Sequence, residues 1–435
     1  METDQDMGKS TVTTDVPHYV RSLALGIPAI LLGIQLSGWI GFIPVITDGH
    51  FDFRQLYTAG YIVRSGHASE LYAYDAQKAF QDMLISREQI ALPFNHLAYE
   101  ALLFVPFSLL SWRKAYFAFL ALQLALLAIS FRLLRPRMDN LAEVYRWLPP
   151  AMFLVFLPVA ATLMQGQDSI VLLTLLSGAA ASLDRGREFT AGVLVGLGLF
   201  KFQIVIPIAL LFLVWRRWRF TAGFACSAAT VGVVSLRLVG LVQAKVYVRA
   251  LVSMSVGLAS RLDQFRYGIS PIAMPNLRGL IFGLANTRFS PLWLQAATIA
   301  ASVSVFLWVA VLVPKKQRGV DALLVAITAS AVVSYHFLFH DMSILLIPVV
   351  LTLNQFIGAE AKGDRDGRLL ARVSALMFVA PICESFIPSH FYLVSLPLLA
   401  FLFVLMQHSR RGERHPDPAK TLKCNALVGD LLRCS

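Results

Sequence analysis

Four polar islands in otherwise apolar sequence carry the residue types that could do chemistry. Asp52 sits in His50-Phe-Asp-Phe-Arg54. Aromatic neighbours at a membrane surface can raise a carboxylate's pKa and suit it to act as a general base; a solvated loop acid has the same signature. Gln165-Gly-Gln167-Asp168 joins two amides and a carboxylate through a glycine, a set able to bind the hydroxyls of a polyol or simply to turn between helices. Lys201, in Gly198-Leu-Phe-Lys201-Phe-Gln203, is flanked on both sides by apolar residues. An ionisable group at membrane depth is a functional candidate by default, here as a point charge for a lipid phosphate, the other reading being a lysine that snorkels to the headgroups.

The fourth island is His336-Phe-Leu-Phe-His340-Asp341. On a helix the two histidines share a face at i, i+4. That spacing can ligate zinc, but no glutamate follows the first histidine and no third ligand is evident. Donation to a phosphate or sugar fits better, with a satisfied buried histidine pair as the alternative. Arg266, Asn276 and Arg278 (Met274-Pro-Asn-Leu-Arg278-Gly-Leu) add a weaker signal for an anionic headgroup.

The elements that must position these groups are membrane helices. Of 435 residues, 57% are hydrophobic and 15% charged, against about 25% charged in an ordinary globular domain. A helix needs about 20 apolar residues to cross a bilayer, and about a dozen such runs occur between Leu23 and Met406. This excludes a soluble enzyme, a secreted disulfide scaffold and a disordered chain. The net charge of +12 reflects Lys and Arg gathered in cytoplasmic loops; no groove-reading motif points to nucleic acid. The four cysteines lack bridge partners or zinc spacing. Residues 1–20 carry acids and no apolar core, so Leu23–Ile46 reads as a retained first span.

Placing the basic clusters Arg132/Arg135/Arg137/Arg146, Arg185/Arg187, Arg216/Arg217/Arg219, Lys315/Lys316/Arg318 and Lys362/Arg365/Arg368/Arg372 inside predicts twelve spans. They run at about 22–46, 114–134, 147–164, 169–183, 189–200, 202–215, 219–240, 291–313, 321–338, 342–358, 370–388 and 391–408. Residues 1–21 form a cytoplasmic segment, 22–408 the membrane domain and 409–435 a cytoplasmic tail. Two long insertions, 47–113 and 241–290, are structured external loops, since loops beyond about 15 residues are functional or disordered. In the first, 54–64 and 74–85 suit interfacial helices, as does 93–112, whose Pro93, Asn95, His96, Glu100 and Pro106 make it a poor span. Both loops, Gln165–Asp168, Lys201 and His336–Asp341 then share the outer face. The alternative makes 93–112 a span and 189–215 one long helix.

In order, these pieces resemble glycosyltransferase family 87, polyprenol-phosphate-sugar-dependent transferases of the GT-C membrane fold. The matching residues are Asp52-Phe-Arg-Gln-Leu-Tyr57, Gly66, Leu71-Tyr72, Phe94 through Leu110, Gly166-Gln167, Gly192 through Lys201, Asn276-Leu-Arg-Gly279 and Ser334-Tyr-His336 through Asp341. The resemblance implies an inverting hexosyltransferase, mannose being the first choice of sugar. It would work without cofactor or metal, in the bacterial cytoplasmic (inner) membrane, with its site on the extracytoplasmic face. The donor would be a polyprenyl-phosphate-linked sugar and the acceptor a lipid or glycan. Asp52 would be the base; Lys201, His336, His340, Arg278 and Gln167 would face the donor; Arg54, Tyr57, Asn95, His96, Asp168, Asn276 and Asp341 would serve acceptor or loop contacts. The chain departs from the family at Phe94-Asn-His96-Leu, where relatives often have Tyr-Pro-Pro, and at Pro207, displaced from its usual place after the lysine. A transporter or lipid flippase is the rival, but duplicated halves are not seen.

Overall fold

The computed structural model describes residues 17–255, 260, 262, 265–266, 268–313, 319–360 and 365–414. Most of the N-terminal segment, the Lys315/Lys316/Arg318 cluster and the tail from 415 lie outside the described residues. Every regular element of the described chain is a helix, with no strand, as lipid demands of a backbone that must satisfy its own hydrogen bonds.

Helix α1 (His18–Asp48) has 31 residues, about 46 Å at 1.5 Å each, longer than a hydrocarbon core of about 30 Å. It stops at Gly49, whose φ of 87° opens the turn and where a Cβ would meet Ile85 at 2.2 Å. That turn leads through Asp52 into α2 (Phe53–Arg64). The first loop continues through α3 (Tyr74–Leu84) and the single turn α4 (Ala101–Phe104) to α5 (Trp112–Leu134). Helix α2 is not the exposed amphipathic helix expected of an interfacial segment. Eight of its twelve residues are buried, because Phe53 anchors an aromatic cluster, stacking on Phe119 at 5.2 Å and packing on Trp112 at 5.4 Å. Segment 93–112 holds no helix long enough to cross a membrane, and neither is it one interfacial helix: it breaks into turns at 98–100, 101–104 and 107–109. The prolines at 93 and 106 forbid a continuous ladder.

After α6 (Asp139–Val144), α7 (Leu148–Val155) and α8 (Leu157–Gln165) form a bent pair, broken at Phe156 ahead of Pro158. Helix α9 (Ser169–Asp184) follows. Then α10 (Glu188–Leu197) and α11 (Phe202–Val214) form a second bent pair around the tight turn Leu199–Lys201. Both ends of this pair meet. Arg217 reaches Glu188 at 2.9 Å, and α12 (Trp218–Ser255) lies against α10 so closely that a Cβ on Gly192 would stand 1.9 Å from the Phe220 carbonyl. Lys201 therefore occupies the tip of a re-entrant hairpin of 10 and 13 residues, too short for two complete crossings.

Six helices are long and apolar enough to cross a membrane, or eight counting each bent pair as one span, among the described residues. Twelve were expected. The shortfall lies around the site: α9 has 16 residues and Gly319–Val333 only 15. The protein is thus polytopic, with short helices stacked beneath a folded loop. At one end Arg137 pairs with Asp184, Arg217 with Glu188, and the Leu141 N–H donates to Asn354 at 2.9 Å. The polar islands gather at the other end, about 24 Å away along α9.

Two further expectations change. Residues 334–339 are irregular, so His336 and His340 do not share a helical face. Instead the Ser334 hydroxyl donates to the His336 carbonyl at 2.8 Å and the Leu338 N–H to Asp341 at 2.9 Å, which closes a turn where the helix was expected. The second loop does not begin at 241. The chain kinks at Gly240 (φ 76°) and continues as helix to Ser255.

Candidate active site

The first loop brings its own polar residues to the helix ends. Gln77 and Gln81 are buried and act as side-chain stand-ins for a β-strand. Gln81 Nε2 donates to the Leu92 carbonyl at 2.6 Å and its Oε1 accepts from the Leu92 N–H at 3.0 Å; Gln77 accepts from the Phe94 N–H at 2.7 Å. Tyr72 donates to the His96 carbonyl at 2.8 Å and Tyr247, stacked on Tyr72, to the Asn95 carbonyl at 3.2 Å. The backbone of residues 94–96 is thus pinned by three side chains, Gln77, Tyr247 and Tyr72. Arg54 is buried and commits its guanidinium to loop residues, bonding Gln81 at 2.9 Å and Ser86 at 2.8 Å. Tyr57 donates to the Leu110 carbonyl at 2.8 Å. Both are supports of the loop fold.

From this platform a continuous polar chain crosses the site. Glu100 Oε2 lies 2.5 Å from His96 Nδ1, which lies 3.2 Å from Asp168 Oδ2. Asp168 Oδ1 is 3.0 Å from Lys201 Nζ, and Lys201 is 2.9 Å from Asp341 Oδ1. Asp341 also accepts from Ser169 Oγ at 3.1 Å, and His340 Nε2 lies 3.5 Å from it. His340 Nδ1 meets Gln165 Oε1 at 2.8 Å. Every carboxylate on this chain is buried, and Lys201 is only 4% exposed. Such a buried chain is tolerable only because each charge faces its opposite. Burial pulls the His96 imidazole down, but the charges of Glu100 and then Asp168 outweigh it and hold it up at about 10. Burial pushes the Glu100 carboxyl up, against the pull of His96.

His96, Glu100 and Asp168 bring ligand atoms within 4.8 Å of one another, a spacing that can hold a metal ion. The cationic place beside Asp168 is taken by Lys201 and the charged imidazole.

Asp52 stands apart from the chain. It is half-buried at the head of α2, and its Oδ2 accepts from Gln167 Nε2 at 2.7 Å. No ion pair engages it among the described residues. Gly166 makes this approach feasible: its φ is 62°, and a Cβ there would stand 2.6 Å from the Phe53 Cβ. Gly166→Ala is therefore expected to cost about 1–2 kcal/mol for the left-handed backbone alone, with the clash added. A lowered melting temperature in detergent checks it; unchanged melting would mean that Phe53 moves freely.

On the opposite side, Asn276 caps the helix Leu277–Ala285 by accepting from the Gly279 N–H and donates to the Ser334 carbonyl at 2.6 Å. Arg278 donates to the Tyr335 carbonyl at 3.0 Å, with its guanidinium 3.8 Å over the Tyr335 ring. Its Nε is buried without a hydrogen-bond partner, and no carboxylate pairs with it among the described residues. His336 follows Tyr335 directly, in the turn that Asp341 closes through the Leu338 N–H.

The sequence-predicted residues Asp52, Gln167, Asp168, Lys201, His336, His340 and Asp341 thus converge, with His96 joined through Asp168. Gln165 was expected only as part of the Gln165–Asp168 turn, and Glu100 was not singled out as a site residue. The signal for Glu100 was its i, i+4 spacing from His96, the lone acid between Leu97 and Trp112.

These features define a polytopic membrane protein with a buried charged centre at one end of its helices, roofed by a folded loop. The model of glycosyltransferase family 87 matches residues 99–335, more than half of the chain. The chain belongs to glycosyltransferase family 87 and is a membrane glycosyltransferase, a class that implies a lipid-linked donor. No curated protein and no solved structure matches it significantly.

Proposed function

We propose that the protein transfers a hexose, mannose being the first choice, from a polyprenyl-phosphate donor to a lipid or glycan acceptor at the extracytoplasmic face of a bacterial inner membrane. The observation that carries this reading is the division of charge. Of the four acids Asp52, Glu100, Asp168 and Asp341, only Asp52 is both partly open and free of an ion pair among the described residues. It is the acid able to take up a proton. The acceptor hydroxyl attacks the anomeric carbon as its proton passes to Asp52, and the bond from that carbon to the phosphate oxygen breaks with inversion. Gln167 orients the carboxylate through its 2.7 Å bond.

Negative charge then grows on the departing polyprenyl phosphate. Lys201 already neutralises two aspartates, so in this reading it organises the site. Beside the site Arg278 has charge to spare: its fork is part-buried, steadied on Tyr335 and unmatched by a carboxylate among the described residues. We assign the phosphate to Arg278, with His336 and His340 as donors to phosphate or sugar. The transferase reading is favoured over a transporter by the gathering of the buried acids Glu100, Asp168 and Asp341 with Lys201 at one end of the helices. The departing phosphate carries its charge as a stable anion, so the chemistry asks for no metal.

Purified protein in lipid, given polyprenyl-phosphate-mannose and a glycolipid extract, should form a mannosylated product. Arg278→Gln should raise the donor KM about 10- to 100-fold, the loss of a charged hydrogen bond worth about 1.5–3 kcal/mol, in protein that still folds. An unaltered donor KM would take the phosphate away from Arg278. No product with a donor that binds would overturn the sugar or acceptor.

A further inference from the structure

Helix α12 is too long for the membrane it enters. The candidate span Trp218–Ser253 covers 36 residues, about 54 Å if straight, against about 30 Å of hydrocarbon. The limb before Gly240 suffices for a crossing, and the kink there, at φ 76° and ψ 168°, turns the limb 241–253 at the site end. Its direction is set by Tyr247, which is buried against Tyr72 at 4.6 Å and donates to the Asn95 carbonyl.

At about 100° per residue the side opposite Tyr247 is a single arc. It holds Leu241, Val242, Val246, Val248 and Val252, exposed by 42–75%, with Lys245 and Arg249 one turn apart in its centre, both exposed. Neither cation pairs with a carboxylate among the described residues. Aliphatic side chains in the acyl boundary with Lys and Arg between them are the pattern of an interfacial helix. Two free cations one turn apart match a phosphodiester, while a zwitterionic headgroup offers its own compensating charge.

We propose that the limb 241–253 docks an anionic phospholipid at the site face, with Lys245 and Arg249 on its phosphate and the valines along its chains. Because the same limb pins Asn95 through Tyr247, a bound lipid steadies the loop that carries His96. This goes beyond the transfer reaction and does not depend on it.

The test uses full-length protein in detergent, titrated with phosphatidylglycerol or phosphatidylcholine and followed by native mass spectrometry and thermal melting. Wild type should retain phosphatidylglycerol preferentially and melt higher with it. The double variant K245Q/R249Q should melt as wild type does without lipid and bind phosphatidylglycerol about thirtyfold more weakly, about fivefold for each cation. Equal retention of the two lipids by wild type, or undiminished phosphatidylglycerol binding by the variant, would overturn the proposal. These readouts contain no sugar transfer, so a failed mannosylation assay leaves them unaffected.

Discussion

Asp52→Asn is expected to lower kcat about a thousandfold, within the roughly 10²–10⁴ range of a lost general base, while the protein folds and binds donor as before. The substitution is nearly silent structurally. The asparagine keeps an oxygen to accept from Gln167 and keeps the volume beside Phe53; what disappears is proton affinity. Asp52 is half-buried and outside the ion-paired chain, so removing its charge leaves no buried partner uncompensated. A transfer assay with melting on the same sample decides it. If Asp52→Asn retains activity, the base is another group, and Asp341 or Asp168 would have to give up Lys201 to serve. Gln167→Ala should give a smaller loss, near tenfold, since the carboxylate would be misaimed but still present.

Lys201→Met is expected to act on folding before it acts on catalysis. Lys201 is 4% exposed and lies 3.0 Å from Asp168 and 2.9 Å from Asp341. Truncating one partner of a buried ion pair costs about 3–5 kcal/mol, because the charge left behind is uncompensated. The protein should lose a large part of its melting temperature or fail to accumulate. Adding Asp341→Asn removes one orphaned charge, so Lys201→Met/Asp341→Asn should recover a measurable part of that stability. The double-mutant cycle separates two roles. Recovery of folding marks Lys201 as an organiser of the site. A stable single variant with a raised donor KM would instead mark Lys201 as the phosphate's own contact.

Much of this was legible one residue type at a time. Charge in a sequence that cannot solvate it is conspicuous, which is why Asp52, Asp168, Lys201 and Asp341 stand out in the sequence alone. That they share one end of the helices followed from Lys and Arg at the far ends, where Arg137 pairs with Asp184 and Arg217 with Glu188. Two limits were physical. Hydropathy sees apolar length, and cannot distinguish a full crossing from a 10-residue limb that turns back at Lys201. Helical spacing sees a shared face at His336 and His340, but not the turn that Asp341 and Ser334 close by bonding the backbone of 336–338.

Polytopic membrane character and the roster of ionisable residues are properties of local composition, since a bilayer judges each stretch of chain by its own transfer free energy. Which acid stays free is not local. Asp52, Asp168 and Asp341 are the same residue type, and their difference arises from Lys201 lying between two of them while Gly166 lets Phe53 and Gln167 close on the third. Gln167 and Asp52 stand 115 positions apart along the chain, and Ser169 and Asp341 stand 172 apart. Sequence spacing carries no information about separations of that size. Close packing of the folded chain sets them, and with them the division of labour among chemically identical groups.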